Sequence, residues 1–184
     1  CQMIWIRADW LEKLGLDTPK TLADLEAVMD AFVTKDPDGN GADDTYAIAA
    51  ASANLGSGYW GFSPSYFNMF HVYPNQWALK GEKELQSAMF GTDYREGTRA
   101  AILKLQEYYQ RGYLHPDFAI YDDAMMQQDI FNDRCGILFT ELWGAYWPLV
   151  MHLDINPEAD WVPVPIVSYD DKPGKTSNSM YSVN

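Results

Sequence analysis

The chain has 184 residues, of which 47% are hydrophobic and 21% charged, so its length and composition are those of a globular protein with its own core. Its formal net charge of −13 at pH 7 argues against nucleic acid and anionic membrane surfaces as partners, because both require a basic patch. No apolar run reaches the length of about 18 residues that a membrane-spanning helix needs.

The N-terminal residues do not follow the basic-then-apolar plan of a signal peptide, and there is no initiator Met. Residues 3–6 read as a strand rather than as a polar tether behind Cys1, so we expect that the chain was cut from something longer. Cys1 and Cys135 do not make a disulfide framework. Because Cys135 precedes an apolar run, we expect it to be a buried free thiol.

Predicted strands and helices alternate along the first half of the chain, which favours an α/β fold. A strand at 4–7 is followed by a helix at 9–14 that ends before Gly15. A capping box formed by Thr21 and Asp24 opens a helix that runs to about residue 33 and buries one apolar face. A strand is predicted at 46–50.

The second half continues this alternation. Ser63 and Pro64 suit the N-cap and first position of a helix, and residues 80–82 read as a turn. The longest helix is predicted over 93–111 and ends before Gly112. Its apolar stripe is predicted to face the core and comprises Tyr94, Thr98, Ala101, Ile102, Leu105, Tyr108 and Tyr109. The remaining predictions are a helix at 122–132, a buried strand at 135–139, a helix at 144–151 and an edge strand at 161–165.

The segment 36–47 reads D-P-D-G-N-G-A-D-D-T-Y-A and has the spacing of a calcium-binding loop. Side-chain oxygens fall at loop positions 1, 3, 5 and 9, Gly41 stands at position 6, and a backbone carbonyl at position 7 would add a further ligand. These five ligands are Asp36, Asp38, Asn40, Asp44 and, through its carbonyl, Ala42. Position 12 is Ala47 instead of a bidentate Glu, so the loop is not a true EF-hand. We predict a structural Ca²⁺ that ties a helix end to a strand start; the alternative is an acidic surface turn without an ion.

We find no catalytic constellation in the sequence. His71, His115 and His152 lack partners at metal-binding spacing, and neither G-x-S-x-G nor C-x-x-C occurs. Residues 56–61 spell G-x-G-x-x-G, but no acidic residue follows at the distance that a dinucleotide site requires. Aromatic residues make up 15% of the chain. Those near strand ends suit the stacking of sugar rings, although more than half of the aromatic residues are expected in the core. The aromatic residues near strand ends are Tyr59, Trp60, Trp143, Tyr146 and Trp147.

Three motifs together resemble the extracellular solute-binding proteins (family 1) of bacterial ABC transporters, in the lipoprotein branch that handles oligosaccharides. They are R-x-D-W-L-x-K-L-G-L at 7–16, P-x-T-L-x-D-L at 19–25 and D-P-x-G-N-G at 36–41. Residues 104–117 and 156–165 are similar to two further motifs of the family, K-L-Y-x-x-G-x-L-x-P-D and N-P-x-A-x-W-x-x-x-P. The resemblance covers nearly the whole chain.

The resemblance implies a helix-rich α/β fold of the periplasmic-binding-protein type (type II), with two lobes that close on a ligand between them. We expect residues 1–184 to be a single domain, the C-terminal lobe, with the N-terminal lobe outside this chain. The implied function is to bind a solute, favoured to be an oligosaccharide, and to deliver it to the permease subunits of an ABC transporter. A lipidated cysteine outside the chain would hold the protein at the extracellular face of the membrane. Family members use the calcium loop structurally, and Thr45 stands where an acidic residue often follows the last ligand.

Ligands of open α/β sheets bind beyond the carboxyl ends of strands, so the loops after 46–50 and after 136–139 are candidates. We predict Trp60 and Trp143 as stacking platforms, Glu141 as an acceptor for sugar hydroxyls, and Tyr59 as a neighbouring contact. The competing class is a carbohydrate-active enzyme, which would need two carboxylates about 5 to 10 Å apart in one cleft. A third class, a dockerin-like adhesion module, would repeat the calcium loop, which occurs once.

Overall fold

A computed structural model describes residues 2–55 and 62–170. In chain order the helices and strands are β1 Gln2–Arg7, α1 Ala8–Leu14, α2 Leu22–Thr34, β2 Tyr46–Ala49, α3 Ser63–Asn68, β3 Trp77–Lys80, β4 Glu84–Ser87, α4 Arg95–Gln110, α5 Asp123–Phe131, β5 Cys135–Glu141, α6 Leu149–Ile155 and β6 Trp161–Val164. Short 3₁₀ helices are found at Ser52–Asn54, Thr92–Tyr94, Phe118–Ile120 and Leu142–Ala145. Within the described ranges no helix combines the length and apolar character that a bilayer crossing requires.

A four-stranded mixed sheet in the order β2-β5-β1-β6 forms the centre of the fold. β2 runs parallel to β5, and β1 runs antiparallel to both β5 and β6. The carboxyl ends of β2, β5 and β6 therefore lie at one edge of the sheet, which we call the carboxyl edge. β1 begins at the same edge, with Gln2 opposite Glu141. β6 contains Pro163 and lies at the side of the sheet, which confirms the predicted edge strand.

Helices cover both faces of this sheet because its strands are apolar on both sides. Ile4 and Ile6 of β1 join a core with α1 to α4, whereas Trp5 between them joins a second core with α5 and α6. This layered arrangement confirms the predicted helix-rich α/β fold. Cys135 is fully buried and is a free thiol, as expected.

Short sequence motifs correctly predicted where several helices and strands begin or end. Gly15 adopts a left-handed φ of 67° and ends α1. Thr21 and Asp24 form both hydrogen bonds of the capping box at the start of α2. Gly81 has φ 65° in the turn between β3 and β4. These boundaries depend on backbone hydrogen bonds a few residues apart, which the sequence alone can specify.

Three predicted helices differ from the structure. In α4, Ile102 and Tyr109 are 53% and 47% exposed, because the predicted stripe is wider than the face that α4 packs against the core. The helix expected at 144–151 is interrupted, since Pro148 lacks a backbone N–H and takes the N-cap position of α6 instead of continuing the 3₁₀ turn. Ser63 is the first residue of α3, and Phe62 takes the N-cap position.

A buried polar network joins β1, β6, α6 and the turn before β5. The guanidinium of Arg7 is 3% exposed and pairs with the carboxylates of Asp9 and Asp133. His152 is fully buried; its Nε2 lies 3.1 Å from the Asp133 carboxylate, and its Nδ1 accepts a hydrogen bond from the Trp161 indole. Because Trp161 donates to Nδ1, Nε2 of His152 is the nitrogen that donates to Asp133. His152 is thus a satisfied core histidine.

This network should make the fold sensitive to acid. Burial opposes ionisation of Asp133, but the hydrogen bond from His152 and the charge of Arg7 outweigh it and lower the pKa of Asp133 to about 2. A carboxyl whose pKa falls from 3.8 to about 2 on folding stabilises the protein by about 2 kcal/mol above pH 4. This contribution is lost as the pH falls from about 4 to 2, because the proton then binds the folded state as well.

Urea unfolding of the wild type and of Asp133→Asn at a series of pH values measures this contribution. The difference in unfolding free energy between the two should shrink as the pH falls from 6 to about 2. Asp17→Asn is the control, since Asp17 is exposed in the connection between α1 and α2 and lies outside the Arg7 network. A difference between wild type and Asp133→Asn that does not change with pH would contradict the assignment.

Candidate ligand-binding site

The carboxyl end of β5 carries the candidate ligand contacts. Glu141 ends β5, and the 3₁₀ helix Leu142–Ala145 then turns the chain across the carboxyl edge. The indole of Trp143 donates a hydrogen bond to the Glu141 carboxylate, and the Trp5 indole lies 3.3 Å from the Glu141 carbonyl. A Cβ at Gly144 would come within 2.5 Å of Thr140 Cγ2, so only glycine allows this close turn. The Glu141 carboxylate is therefore held in a defined orientation.

Trp143 belongs to a pair of stacked indoles. Its ring centre lies 6.1 Å from that of Trp147, with 17° between the ring planes. Trp143 is half-buried, whereas Trp147 is 37% exposed and the adjacent Tyr146 is 79% exposed. Tyr146 and Trp147 were predicted to lie near a strand end with Trp143, but the sequence did not indicate that Trp147 stacks on Trp143. The role of Trp143 and Glu141 in ligand binding stays a prediction, and Tyr59 and Trp60 lie outside the described residues.

Further polar groups line the same edge. The side-chain amides of Gln2 and Asn68 contact each other, and Asn68 is fully buried. Thr140 is 2% exposed, and its Oγ1 has no hydrogen-bond partner within the parts of the chain that the structure describes. All three side chains are buried, so they shape the edge from within, and the partly exposed groups beside it include the stacked indoles and the Glu141 carboxylate.

Ser168, His71 and Asp170 also meet at this edge, but they do not form a catalytic triad. Nε2 of His71 lies 2.9 Å from the Asp170 carboxylate and 3.1 Å from the Ser168 hydroxyl. A triad needs the carboxylate on one ring nitrogen and the hydroxyl on the other. The other nitrogen, Nδ1, is buried and contacts no polar group among the described residues. This cluster therefore lacks the relay that would activate the serine.

The predicted calcium loop joins the end of α2 to the start of β2, as the sequence indicated. The carboxylate of Asp36 accepts hydrogen bonds from the backbone N–H groups of Gly39 and Gly41, at 3.0 and 3.1 Å. The side-chain amide of Asn40 donates to Asp38 at 2.7 Å and to Asp44 at 3.1 Å. The loop is thus folded around the Asn40 amide, which bridges two of the predicted ligands.

Three carboxylates of this loop interact. Burial and the neighbouring carboxyl of Asp36 raise the pKa of Asp38, and the charge of Asp44 adds to the increase. A hydrogen bond with the Asp38 carboxyl lowers the pKa of Asp36. Across the described ranges no three Asp, Glu, His or Cys side chains are arranged as a metal site. The side chains available at positions 36, 38, 40 and 44 nevertheless form an all-oxygen donor set once the Asn40 amide turns its oxygen inward, which fits a hard cation.

The fold and the carboxyl edge define the class: the chain has the helix-rich α/β architecture of type II periplasmic solute-binding proteins. No protein-family profile matches the chain. It is 34% identical to Lipoprotein LipO of Bacillus subtilis over 136 residues, which are 72% of the chain and 25% of that protein. It is 35% identical over 144 residues to the Polygalacturonan/rhamnogalacturonan-binding protein YtcQ of Bacillus subtilis, covering 78% of the chain and 27% of that protein.

A solved structure of a substrate-binding protein is also similar to this chain. The Streptococcus pneumoniae ABC-transporter substrate binding protein FusA, as an EF-hand mutant in complex with fructo-nystose, is similar with a TM-score of 0.67 and 25% identity. The similarity covers 97% of the chain and 34% of that structure. The chain is therefore homologous to binding proteins that include a substrate-binding protein of an ABC transporter, and it spans about a quarter of the length of the first two curated relatives. These relatives carry the names of binding proteins and a lipoprotein, not of enzymes.

Proposed function

We propose that residues 1–184 form one domain, the C-terminal lobe of an extracellular solute-binding protein that captures an oligosaccharide for uptake through an ABC transporter. The observation that carries this proposal is the arrangement of Glu141, Trp143 and Trp147 at the carboxyl edge of a chain that is homologous to such binding proteins. The partners would be the oligosaccharide and the permease subunits of the transporter. The name of the LipO relative supports a lipid anchor, outside this chain, at the extracellular face of the membrane.

The chemistry of the edge favours binding without catalysis. Stacked indoles can cover the apolar face of a sugar ring, and the oriented carboxylate of Glu141 can accept hydrogen bonds from its hydroxyls. Glycoside hydrolysis needs a second carboxylate across the scissile bond. One pair of interacting carboxyls among the described residues, Asp36 and Asp38, lies in the loop before β2, at the end of that strand away from Glu141.

The charge of the chain favours a neutral sugar. With a net charge of −13 and Glu141 in the site, an oligosaccharide of uronic acids would meet electrostatic repulsion. The YtcQ relative is named for binding polygalacturonan, which is anionic, whereas FusA was solved with fructo-nystose, which is neutral. We therefore propose a cargo closer in charge to that of FusA.

We also propose that the loop before β2 holds a structural Ca²⁺. The five ligands would be Asp36, Asp38, Asn40, Asp44 and the carbonyl of Ala42. In the structure the Asn40 amide donates to two of these carboxylates, so a cation could take over that bridging role while Asn40 contributes its oxygen. The existence of an EF-hand mutant of FusA supports a functional loop of this kind in a relative.

Substitution of the edge residues tests the binding function. In the intact protein, Trp143→Ala should weaken binding of the cognate oligosaccharide about tenfold, because a stacking partner of the ring is lost. Glu141→Gln should weaken it about fivefold while keeping the shape of the side chain, since a charge-assisted hydrogen bond becomes a neutral one. Isothermal titration calorimetry against a glycan panel measures both effects.

Tyr109→Ala is the matched control, because Tyr109 is also a half-exposed aromatic residue but lies at the last turn of α4. It should leave the affinity unchanged. If instead the intact protein released reducing sugar from the oligosaccharide and Glu141→Gln abolished that release, the enzyme hypothesis would replace the binding one.

A further inference from the structure

A second, uncharged groove lies between the β3–β4 hairpin and α4. Its volume is about 580 Å³, within the range of small-molecule sites. The residues that line it are Leu55, Phe67, Asn75, Gln76, Trp77, Ser87, Met89, Phe90, Ile102 and Leu105. Phe67 and Leu105 belong to the core on the α1 to α4 side of the sheet, whereas Trp143 packs against the other core. The groove is therefore separate from the Trp143–Trp147 pair.

The hairpin turns its apolar side chains outward. Leu79 pairs with Leu85 in register, and Trp77 pairs with Ser87, so these side chains share one face of the ribbon. Trp77, Leu79 and Leu85 are 72%, 64% and 62% exposed. Gln86 takes the inner position, where it is 8% exposed and donates a hydrogen bond to Asp93 at 2.6 Å. This is the reverse of the usual alternation, in which the apolar face packs on the core.

The walls of the groove are held in place by the backbone. The N–H of Tyr73 donates to the Ala88 carbonyl and the N–H of Ala88 to the Gln76 carbonyl, both at 2.9 Å. The hydroxyl of Thr98 on α4 donates to the Met89 carbonyl at 2.6 Å, which fixes the chain after the hairpin to the helix. Such a preformed groove loses little conformational entropy when a ligand binds.

The side chains that line the groove indicate which kind of ligand it can bind. None of the described residues that line the groove has a charged side chain, in a chain with a net charge of −13, so the groove suits a ligand without charge. The rings of Trp77 and Phe90 are each 72% exposed and offer flat apolar surfaces. The amide of Gln76 and the hydroxyl of Ser87 add polar groups beside them. Flat apolar faces next to a few uncharged polar groups match the two kinds of surface of a sugar ring.

We propose that this groove is a second carbohydrate-binding site, specific for neutral oligosaccharides, with Trp77 and Phe90 as its ring platforms. It goes beyond the proposed cleft function, because the groove packs against the core on the opposite side of the sheet from Trp143. A second sugar site would hold a long glycan near the protein while its end occupies the cleft.

Saturation-transfer NMR titrations of this chain with maltotetraose, nystose and tetragalacturonate test the proposal. At least one neutral sugar should bind, and Trp77→Ala and Phe90→Ala should each weaken it about tenfold. Tetragalacturonate should bind more weakly, and the affinity for the neutral sugar should not depend on salt. Leu79→Ala is the matched control, because Leu79 is exposed on the same hairpin but does not line the groove.

Two further measurements distinguish sugar binding in the groove from sugar binding in the cleft and from a contact between two copies of the chain. If Trp143→Ala abolished sugar binding while Trp77→Ala left it unchanged, the groove proposal would fail and the proposed function would stand. If neither neutral sugar bound, or if light scattering showed a dimer that Trp77→Ala and Leu79→Ala both dissociated, the groove would not be a sugar site. Circular dichroism melts of each variant establish that it is folded.

Discussion

Saturating Ca²⁺ is expected to raise the free energy of unfolding of this chain by about 2 to 4 kcal/mol relative to chelated protein. An ion that binds only the folded state adds RT ln(1 + [L]/Kd), which reaches this range at about 100 to 1,000 times Kd. For a chain of 184 residues the melting temperature should rise by roughly 4 to 16 °C. Thermal melts in chelator and in millimolar Ca²⁺ measure the shift.

Two variants of the loop make this test specific. Asp38→Asn should remove most of the Ca²⁺-dependent shift, because Asp38 is a predicted ligand and is partly buried in the loop. Asp43→Asn is the matched control, since Asp43 is an exposed carboxylate of the same loop at a position that supplies no ligand. Equal melting temperatures with and without Ca²⁺ would reject the ion site and leave an acidic turn held by the Asn40 amide.

The Ca²⁺ should act on stability more than on ligand contact. The loop is tied to its flanking elements by two hydrogen bonds, from Lys13 Nζ to the Pro37 carbonyl at 2.7 Å and from the Thr45 hydroxyl to the Phe32 carbonyl at 2.8 Å. It leads into the amino end of β2, whereas the candidate ligand contacts lie at the carboxyl edge. An ion would therefore fix the connection between α2 and the sheet rather than meet the sugar.

Elements with local signals could be predicted from the sequence, and contacts between distant residues could not. The capping box of Thr21 and Asp24 depends on residues three positions apart, and the left-handed glycine that ends α1 depends on its own backbone. The pairing of Arg7 with Asp133 joins residues 126 positions apart, and no spacing rule indicates it. The apolar runs of β1 and β5 indicated strands, but their antiparallel pairing follows from the whole sheet.

In the candidate site, too, positions that follow from local sequence could be predicted, and contacts between side chains could not. The position of Glu141 and Trp143 after a buried strand predicted their place at the carboxyl edge, because that rule depends only on strand direction. The stacking of Trp147 on Trp143 was not predicted, since an irregular turn rather than a regular helix brings the two rings together. The outward face of Trp77 was also missed, because Gln86 takes the inner position through a hydrogen bond that depends on the fold of the next turn.

The chain by itself should bind the transported oligosaccharide about a thousandfold more weakly than the intact protein. A two-lobe protein surrounds its ligand, and one lobe supplies about half of the contact area. If the intact protein binds at about micromolar Kd, worth roughly 8 kcal/mol, half of the contacts leave about millimolar binding. The lobe should still fold alone, because its two cores are formed within the described residues.

Calorimetry with the same oligosaccharide on the chain and on the intact protein measures this ratio. Both proteins should carry Trp77→Ala, so that the groove beside α4 does not add a second binding event. Under that condition the remaining affinity reports mainly the carboxyl edge, and Trp143→Ala should weaken it about tenfold further in the isolated chain. Equal affinity of the two proteins would mean that the whole site lies within these 184 residues, and the single-lobe proposal would have to be abandoned.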